Sequence, residues 1–368
     1  MMKVRYSYLA QQFGECEDLW AQLKEFVKTG DFTLGAPLVE FEKKFAGLIG
    51  TKYAIGVNSG TDAIKLGLVA AGVKAGDEVI TAANTFVATV GAIAEIGAIP
   101  KFVDCDDTFC MDVAQVESAI TEKTTAIVPV HFTGYMTDMR KLLPIAQKHK
   151  LPIVEDACQS ILGEVGGRKA GTWGLVGAFS LHPLKNLNVW SDGGLIVTDD
   201  SKIAEHLRLL RNHGLVNRDE VQLLGYNSRL DTLQAVVGNW LIPQTEDIAA
   251  TRIKNAAKYD SGLGAIKGIK IPPRPKDFKI VYHLYMVFAE KRDQLLAFCQ
   301  ARGIEAKIHY PVPIYRQEAL KKYGQAERFP VTDRHAESVI SFPCDQHLSD
   351  EEINFVISTV ADFYSGLK

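Results

Sequence analysis

The sequence predicts an α/β fold: a seven-stranded, mostly parallel sheet with helices on both faces, followed by a smaller C-terminal α+β domain. Three observations point there. Short apolar runs alternate with stretches of helical period up to about residue 200, the pattern of repeated strand–helix–strand units. Beyond that point the texture changes to longer helical stretches and a break at Pro272, Pro273 and Pro275. The length of 368 residues suits roughly two domains of about 150 residues each.

Tyr53–Val57 is a short continuous apolar run and reads as a buried strand. Asp62–Ala71 reads as a helix, because Ala63, Leu66 and Ala70 recur on one face. The same alternation gives strand Glu78–Thr81, helix Phe86–Ile96, strand Pro100–Val103, helix Val113–Ile120, strand Ala126–Val130 and helix Met139–Lys148. Leu151–Glu155, Gly177–Leu181 and Gly194–Val197 complete the strands. Ser201–Arg211 and Asp231–Thr245 have helical period, and the second continues toward Tyr259. After the prolines come strand His283–Ala289, helix Arg292–Arg302 and strand Ile304–His309. A loop with Pro311 and Pro313 leads to strand Ser338–Phe342 and a last helix, whose start carries the capping-box pair Ser349 and Glu352. The expected division is residues 1–245 for the large domain and 246–368 for the small one, joined through a long helix near residues 240–260.

Composition excludes several classes. Lys plus Arg is 41 against 44 Asp plus Glu, a net charge of −3, so nucleic acid is not an expected partner. The six cysteines are scattered without a Cys-x-x-Cys pair, and no histidine cluster lies at zinc spacing, so no metal is expected. They read as buried reduced thiols of a cytoplasmic protein. Met1–Glu15 lacks an apolar signal region, and the apolar stretches Val87–Ile99 and Thr125–Val130 are interrupted or too short to span a bilayer.

Three constellations could carry chemistry. Asn58-Ser59-Gly60-Thr61-Asp62 is a small-residue turn opening a helix, which suits a phosphate; an ordinary helix cap is the alternative. In Leu151–Ser160 a buried strand ends in Glu155 and Asp156, where ligands of open α/β sheets sit. Asp156 could face a protonated ring nitrogen or a metal, or simply cap a helix. In Ser180-Leu181-His182-Pro183-Leu184-Lys185-Asn186 a strand runs into a loop with one lysine. Loop lysines are usually solvated, but apolar flanks (Leu184, Leu187, Val189, Trp190) suit a desolvated amine, which has a depressed pKa and attacks carbonyls. Gly193-Gly194 would allow the backbone close to a ligand. The segment lacks the Gly-Lys-Ser/Thr of a nucleotide triphosphatase loop. A phosphate turn, an acidic strand end and a lysine are together what pyridoxal phosphate requires.

The chain resembles the DegT/DnrJ/EryC1/StrS sugar aminotransferases, which are fold-type I pyridoxal-phosphate enzymes. The resemblance runs from Gly30 to the C-terminus and rests on several runs. These are Phe32-Thr33-Leu34-Gly35, Val39-Glu40-Phe41-Glu42, the 58–63 turn, Asn84-Thr85-Phe86-Val87-Ala88-Thr89, Glu155-Asp156-Ala157-Cys158-Gln159, Ser180–Asn186, Gly225–Leu230 and His309-Tyr310. It implies pyridoxal 5'-phosphate as cofactor, bonded to Lys185, which also carries the proton of the 1,3-shift. It implies that Asp156 pairs with the pyridine nitrogen and Phe86 stacks on the ring, although a core aromatic is the plainer reading of Phe86. Gly60, Thr61 and Ser180 would hold the phosphate, with Gln159 near the ring substituents. Asn227 would reach the phosphate of a neighbouring subunit, so a homodimer with shared active sites is implied. Arg229, His182, His309 and Tyr310 are candidates for donor and sugar contacts.

Leu181 and Ser191 depart from the family pattern, where an aromatic residue and glycine are usual. The family's 3-dehydratases replace the reactive lysine by histidine; Lys185 therefore favours transamination. Family-like regulators attach a basic DNA-binding segment, and none precedes Gly30. The expected reaction moves an amino group from glutamate to a keto or aldehyde sugar. The run Ser180–Trp190 is similar to the branch making 8-amino-3,8-dideoxy-manno-octulosonate for lipopolysaccharide. A nucleotide-linked 3- or 4-keto-6-deoxyhexose is the alternative acceptor. An acidic octulosonate would want cations, for which Arg229, His309, His182 and Lys307 are available.

Overall fold

The computed structural model describes residues 2–323 and 328–366. Seven of the strands before residue 200 form a four-stranded and a three-stranded sheet. Across the first the order is Tyr53–Val57, Gly194–Thr198, Val176–Ser180, Val154–Asp156; across the second it is Ile99–Val103, Glu78–Ala82, Thr124–Val128. The two meet edge to edge through parallel bridges, Ile127 to Ile153 and Val130 to Asp156. Asp156 N–H donates to Pro129 O at 3.0 Å, and His131 N–H donates to Asp156 O at 3.0 Å. Gly194–Thr198 alone runs antiparallel to both its neighbours; the other pairings are parallel.

That topology decides where chemistry can happen. Tyr53–Val57, Val154–Asp156 and Val176–Ser180 point the same way, so their C-terminal ends share one edge of the sheet. The Ser59-Gly60 turn, Asp156 and the loop holding Lys185 follow those three ends, the usual ligand position of an open α/β sheet. The strands are apolar and buried on both faces because helices cover both sides.

Two helices absent from the sequence expectations, Glu17–Thr29 and Ala36–Ile49, lie before the first strand. The second buries Leu38, Phe41 and Phe45 and brings Glu42 into the core. Glu42 Oε1 accepts from Gly56 N–H at 2.7 Å and from the Arg211 guanidinium, which also donates to Gly56 O at 2.9 Å. This buried pair grips the strand that feeds the 59–60 turn. The helix expected from Asp231 toward Tyr259 is interrupted at Ile242–Gln244, where Pro243 offers no N–H to the preceding turn.

The C-terminal half builds an antiparallel sheet, ordered Ile269–Lys270, Tyr285–Ala289, Val339–Phe342. The helix Asp350–Ser365 starts with the expected reciprocal capping box. The expected strand Ile304–His309 is not one. Its ends pair separately, Ile304 with Val4 and Lys307 with Ser341, so no continuous ladder forms. The pairing with Val4 is a long-range stitch: Val4 and Tyr8 are buried in the C-terminal core beside Tyr259, Tyr285 and Val356. Tyr8 Oη donates to Glu352. All six cysteines are free thiols, five of them buried. Among the described residues no helix is long and apolar enough to cross a membrane, and no His/Cys/Asp/Glu group could hold a metal.

Candidate active site

A cavity of about 360 Å³ opens at the shared sheet edge. Lys185, Asp156, Gly60, Thr61, Phe86, Gln159, Ser180, His182, His309 and Tyr310 all line it. Residues expected from 250 positions of sequence thus converge in one place.

One end of the cavity is the start of helix Gly60–Ala70. Ser59 caps it by accepting from Asp62 N–H at 3.1 Å, leaving the amides of the first turn toward the cavity. Gly60 is required here: a Cβ would lie 2.6 Å from Ser180 Cβ and 3.0 Å from Cys158 Sγ. The result is a cradle of backbone N–H groups at the positive end of a helix, with the Ser180 hydroxyl opposite. Gly194 was expected to bring backbone close to a ligand. Its tight neighbour is instead the turn itself, since a Cβ would meet Ser59 O at 2.2 Å.

Asp156 forms the floor. Its side chain is buried and accepts from Thr89 Oγ1 at 2.7 Å and from Cys158 N–H at 3.2 Å. Thr85 Oγ1 lies 2.7 Å behind Thr89 Oγ1. The neighbouring Glu155 faces away from the cavity and anchors the strand. It accepts from Gly171, Trp173 and Gly174 N–H and from His131 Nε2 at 2.9 Å. Alternation along the strand therefore splits the two carboxylates, one structural and one facing the cavity.

Phe86 is 45% exposed, so it is not a core aromatic; it caps helix Val87–Glu95 and its ring centroid lies 5.6 Å from that of Tyr310. Gln159 Oε1 accepts from Thr133 N–H at 2.8 Å, and its side chain also hydrogen-bonds Tyr310.

Lys185 hangs from a loop fixed by local bonds. Val189 N–H donates to Leu181 O at 2.9 Å, and Asn186 Nδ2 donates to Val281 O at 2.9 Å. Burial lowers the Lys185 pKa against the opposing pull of Cys158 and Asp156. Cys158 and Cys344 both line the cavity, and burial with the Asp156 charge pushes the Cys158 thiol up, away from reactivity. His309 is lowered to about 4 by burial and by Lys307 and Lys185.

Two expected residues lie elsewhere. Asn227 and Arg229 line a separate cleft of about 230 Å³ with Phe32, Thr33, Asn58 and Asp231. Arg229 Nη1 donates to Asn212 Oδ1 at 3.2 Å. The cause is the extended backbone at the end of the first strand, where Asn58 faces this cleft and Ser59 the cavity. Within one chain, Asn227 and Arg229 therefore do not line the cavity that holds Lys185. Sequence reasoning also left Thr89, Tyr6, Arg252 and His283 unassigned. Thr89 sat inside a quoted run; the others had no local pattern to mark them.

Comparison with known proteins decides the family. The model of the DegT/DnrJ/EryC1/StrS aminotransferase family matches residues 15–361. The chain belongs to that family. A relative named "Pleiotropic regulatory protein" from Geobacillus stearothermophilus is 39% identical over 368 residues, 99% of each chain. The dTDP-3-amino-3,4,6-trideoxy-alpha-D-glucose transaminase of Streptomyces venezuelae is 38% identical, covering 93% of this chain and 91% of that one. The crystal structure of S. venezuelae DesV in complex with a ketimine intermediate superposes with a TM-score of 0.95 at 37% identity, covering 99% of both chains. This DegT/DnrJ/EryC1/StrS member is a sugar aminotransferase, and its cofactor is pyridoxal 5'-phosphate.

The cavity fits that cofactor on its own evidence. The Gly60 cradle admits a phosphate only because no Cβ fills it, the buried Asp156 offers an anion, and Phe86 offers an exposed ring face. Gly60→Ala is expected to weaken cofactor binding by about 5- to 150-fold, because the added methyl overpacks the cradle by roughly 1–3 kcal/mol. Equilibrium dialysis with the cofactor checks this; wild-type affinity would show that the phosphate sits elsewhere.

Proposed function

We propose that this aminotransferase takes the amino group of glutamate and delivers it to the keto group of a nucleotide-linked hexose. The observation that carries the reading is the convergence of Lys185, Asp156, the Gly60-Thr61 cradle, Ser180 and Phe86 in one cavity. When bound, pyridoxal phosphate supplies a conjugated ring that accepts the electron pair left by the departing proton.

The chain's own residues do the rest. The helix-start amides and Ser180 bind the phosphate and fix the ring's register. Asp156, backed by Thr89, holds a proton on the ring nitrogen. Phe86 orients the ring by stacking. Lys185 would hold the cofactor through its aldehyde carbon, with loss of water, and its free amine would serve as the acid and base that carries the proton of the shift. Its lowered pKa leaves a larger neutral fraction near pH 7 than an ordinary lysine has, and the neutral amine is the base.

Relatives named as transaminases of dTDP- and UDP-linked sugars support the acceptor class. The Ser180–Trp190 run supports a second acceptor, the 8-oxo octulosonate. The separate cleft of Asn227 and Arg229, beside the exposed Phe32 and Tyr226, supports a homodimer in which those residues serve the second copy's site. Residues 1–245 and 246–368 would be the large and small domains, with the cavity between them. Six free thiols suit the cytoplasm.

The test is a mass-spectrometric screen of glutamate with nucleotide-linked 3-keto and 4-keto hexoses and with the 8-oxo octulosonate. Amination of a nucleotide-linked keto sugar is expected. Amination of the octulosonate alone would replace the acceptor class, and failure of every acceptor with inertness to glutamate would overturn the reading.

A further inference from the structure

His283 stands beside Lys185 with nothing so far assigned to it. Its Nε2 lies 3.5 Å from Lys185 Nζ. Its Nδ1 is sealed from solvent and has no hydrogen-bond partner among the described residues. The backbone around it is held on both sides: Val281 N–H donates to Gly134 O and Leu284 N–H to Thr133 O, each at 3.1 Å. Gly134, at a φ of 106°, must be glycine for this approach, since a Cβ would lie 2.5 Å from Tyr282 N. Asn186, next to Lys185, bonds Val281, two residues before His283. The lysine loop and the histidine segment are thus tied together at two adjacent points.

We propose that His283 is the positioning residue for the Lys185 amine, with Nε2 accepting its hydrogen bond. The inference rests on the reading of Lys185 as the lysine that bonds the cofactor.

The role requires a neutral ring, and the surroundings supply one. Burial is the main influence holding His283 uncharged, and the positive neighbours Lys185, Arg252, His309 and His182 act in the same direction. On the other side, Lys185 faces Asp156 and Cys158. Two adjacent cations are therefore avoided, and a neutral acceptor is left for an ammonium or amine donor. With Nε2 accepting, the ring proton sits on Nδ1. The same neutral ring neither repels the amine nor competes for its proton, so it can aim Lys185 without quenching it as a base.

A merely structural histidine and a positioning one predict opposite shifts. Removing an acceptor from the ammonium lowers the Lys185 pKa; loosening the cavity and admitting water raises it toward the ordinary range. The experiment labels the full-length protein, freed of cofactor, with acetic anhydride across pH and reads Lys185 by peptide mass spectrometry. His283→Phe is expected to move the Lys185 midpoint down by about one pH unit, tenfold in the protonated fraction. His283→Gln, whose carbonyl oxygen reaches a similar place, is expected to restore it. If the Phe variant does not fold, His283→Asn, too short to reach, takes its place in the comparison. An unmoved or raised midpoint, or a Gln variant that behaves like Phe, overturns the role. Borohydride reduction of the cofactor-loaded protein keeps the two readings apart. Attachment to another lysine overturns the assignment of Lys185 and this role with it; attachment to Lys185 with an unmoved midpoint overturns only His283.

Discussion

Lys185→Ala is expected to lower the turnover number by about 10³–10⁴-fold or more, since it removes both a covalent attachment and the acid–base group. The argument is geometric first. Among the residues lining the cavity, only Lys307 also carries a side-chain amine. Lys307 rests over the Tyr6 ring at 4.2 Å from its centroid, on the side of the C-terminal sheet. It does not hang from the 180–190 loop beside Asp156 and Cys158, as Lys185 does. Alanine cannot bond the cofactor aldehyde or carry a proton, and the pinned loop leaves no neighbouring amine to swing in. Stopped-flow absorbance on mixing the loaded variant with glutamate reads the loss directly. A variant that still turned over within tenfold of wild type would sink the assignment.

Asp156→Asn is expected to cost roughly 10–10³-fold in turnover, while the protein folds and binds the cofactor. An opposite charge within a few ångströms raises the pKa of a protonated nitrogen by about 1–3 units, so its loss empties the protonated form by that factor. The amide keeps the size of the carboxylate; its oxygen can accept from Cys158 N–H while its NH2 donates to Thr89 Oγ1, which makes charge the main variable that changes. Steady-state kinetics together with cofactor dialysis separates the two effects. Unchanged turnover with unchanged affinity would show that the ring nitrogen does not face Asp156.

Much of this site is legible before any coordinates. Asp156 and Lys185 follow strands whose apolar runs are unmistakable, and parallel topology sends both strand ends to one edge. Gly60 is legible because a small-residue turn before a helix has few purposes. The sequence is silent on His283, because it is contributed by a segment about 100 residues downstream, and only the tertiary ties to Gly134 and Asn186 bring it near. The separate cleft of Asn227 and Arg229 is not legible, because extended backbone sends alternate residues to opposite sides and a family motif does not say which cavity a side chain enters. The supposed strand Ile304–His309 has the right composition, but its pairing partners come from opposite ends of the chain, which no local window contains.

The stitch between the first residues and the C-terminal core has a consequence for how the molecule is born. Tyr6 N–H bonds Glu305, 299 residues later in the sequence. At about 5–20 residues per second on the ribosome, Tyr6 waits roughly 15–60 s for Glu305. Tyr6 and Ser7 form one wall of the cavity. Phe342, Cys344 and Asp345 line the same cavity, so the cavity closes only after nearly the whole chain has emerged.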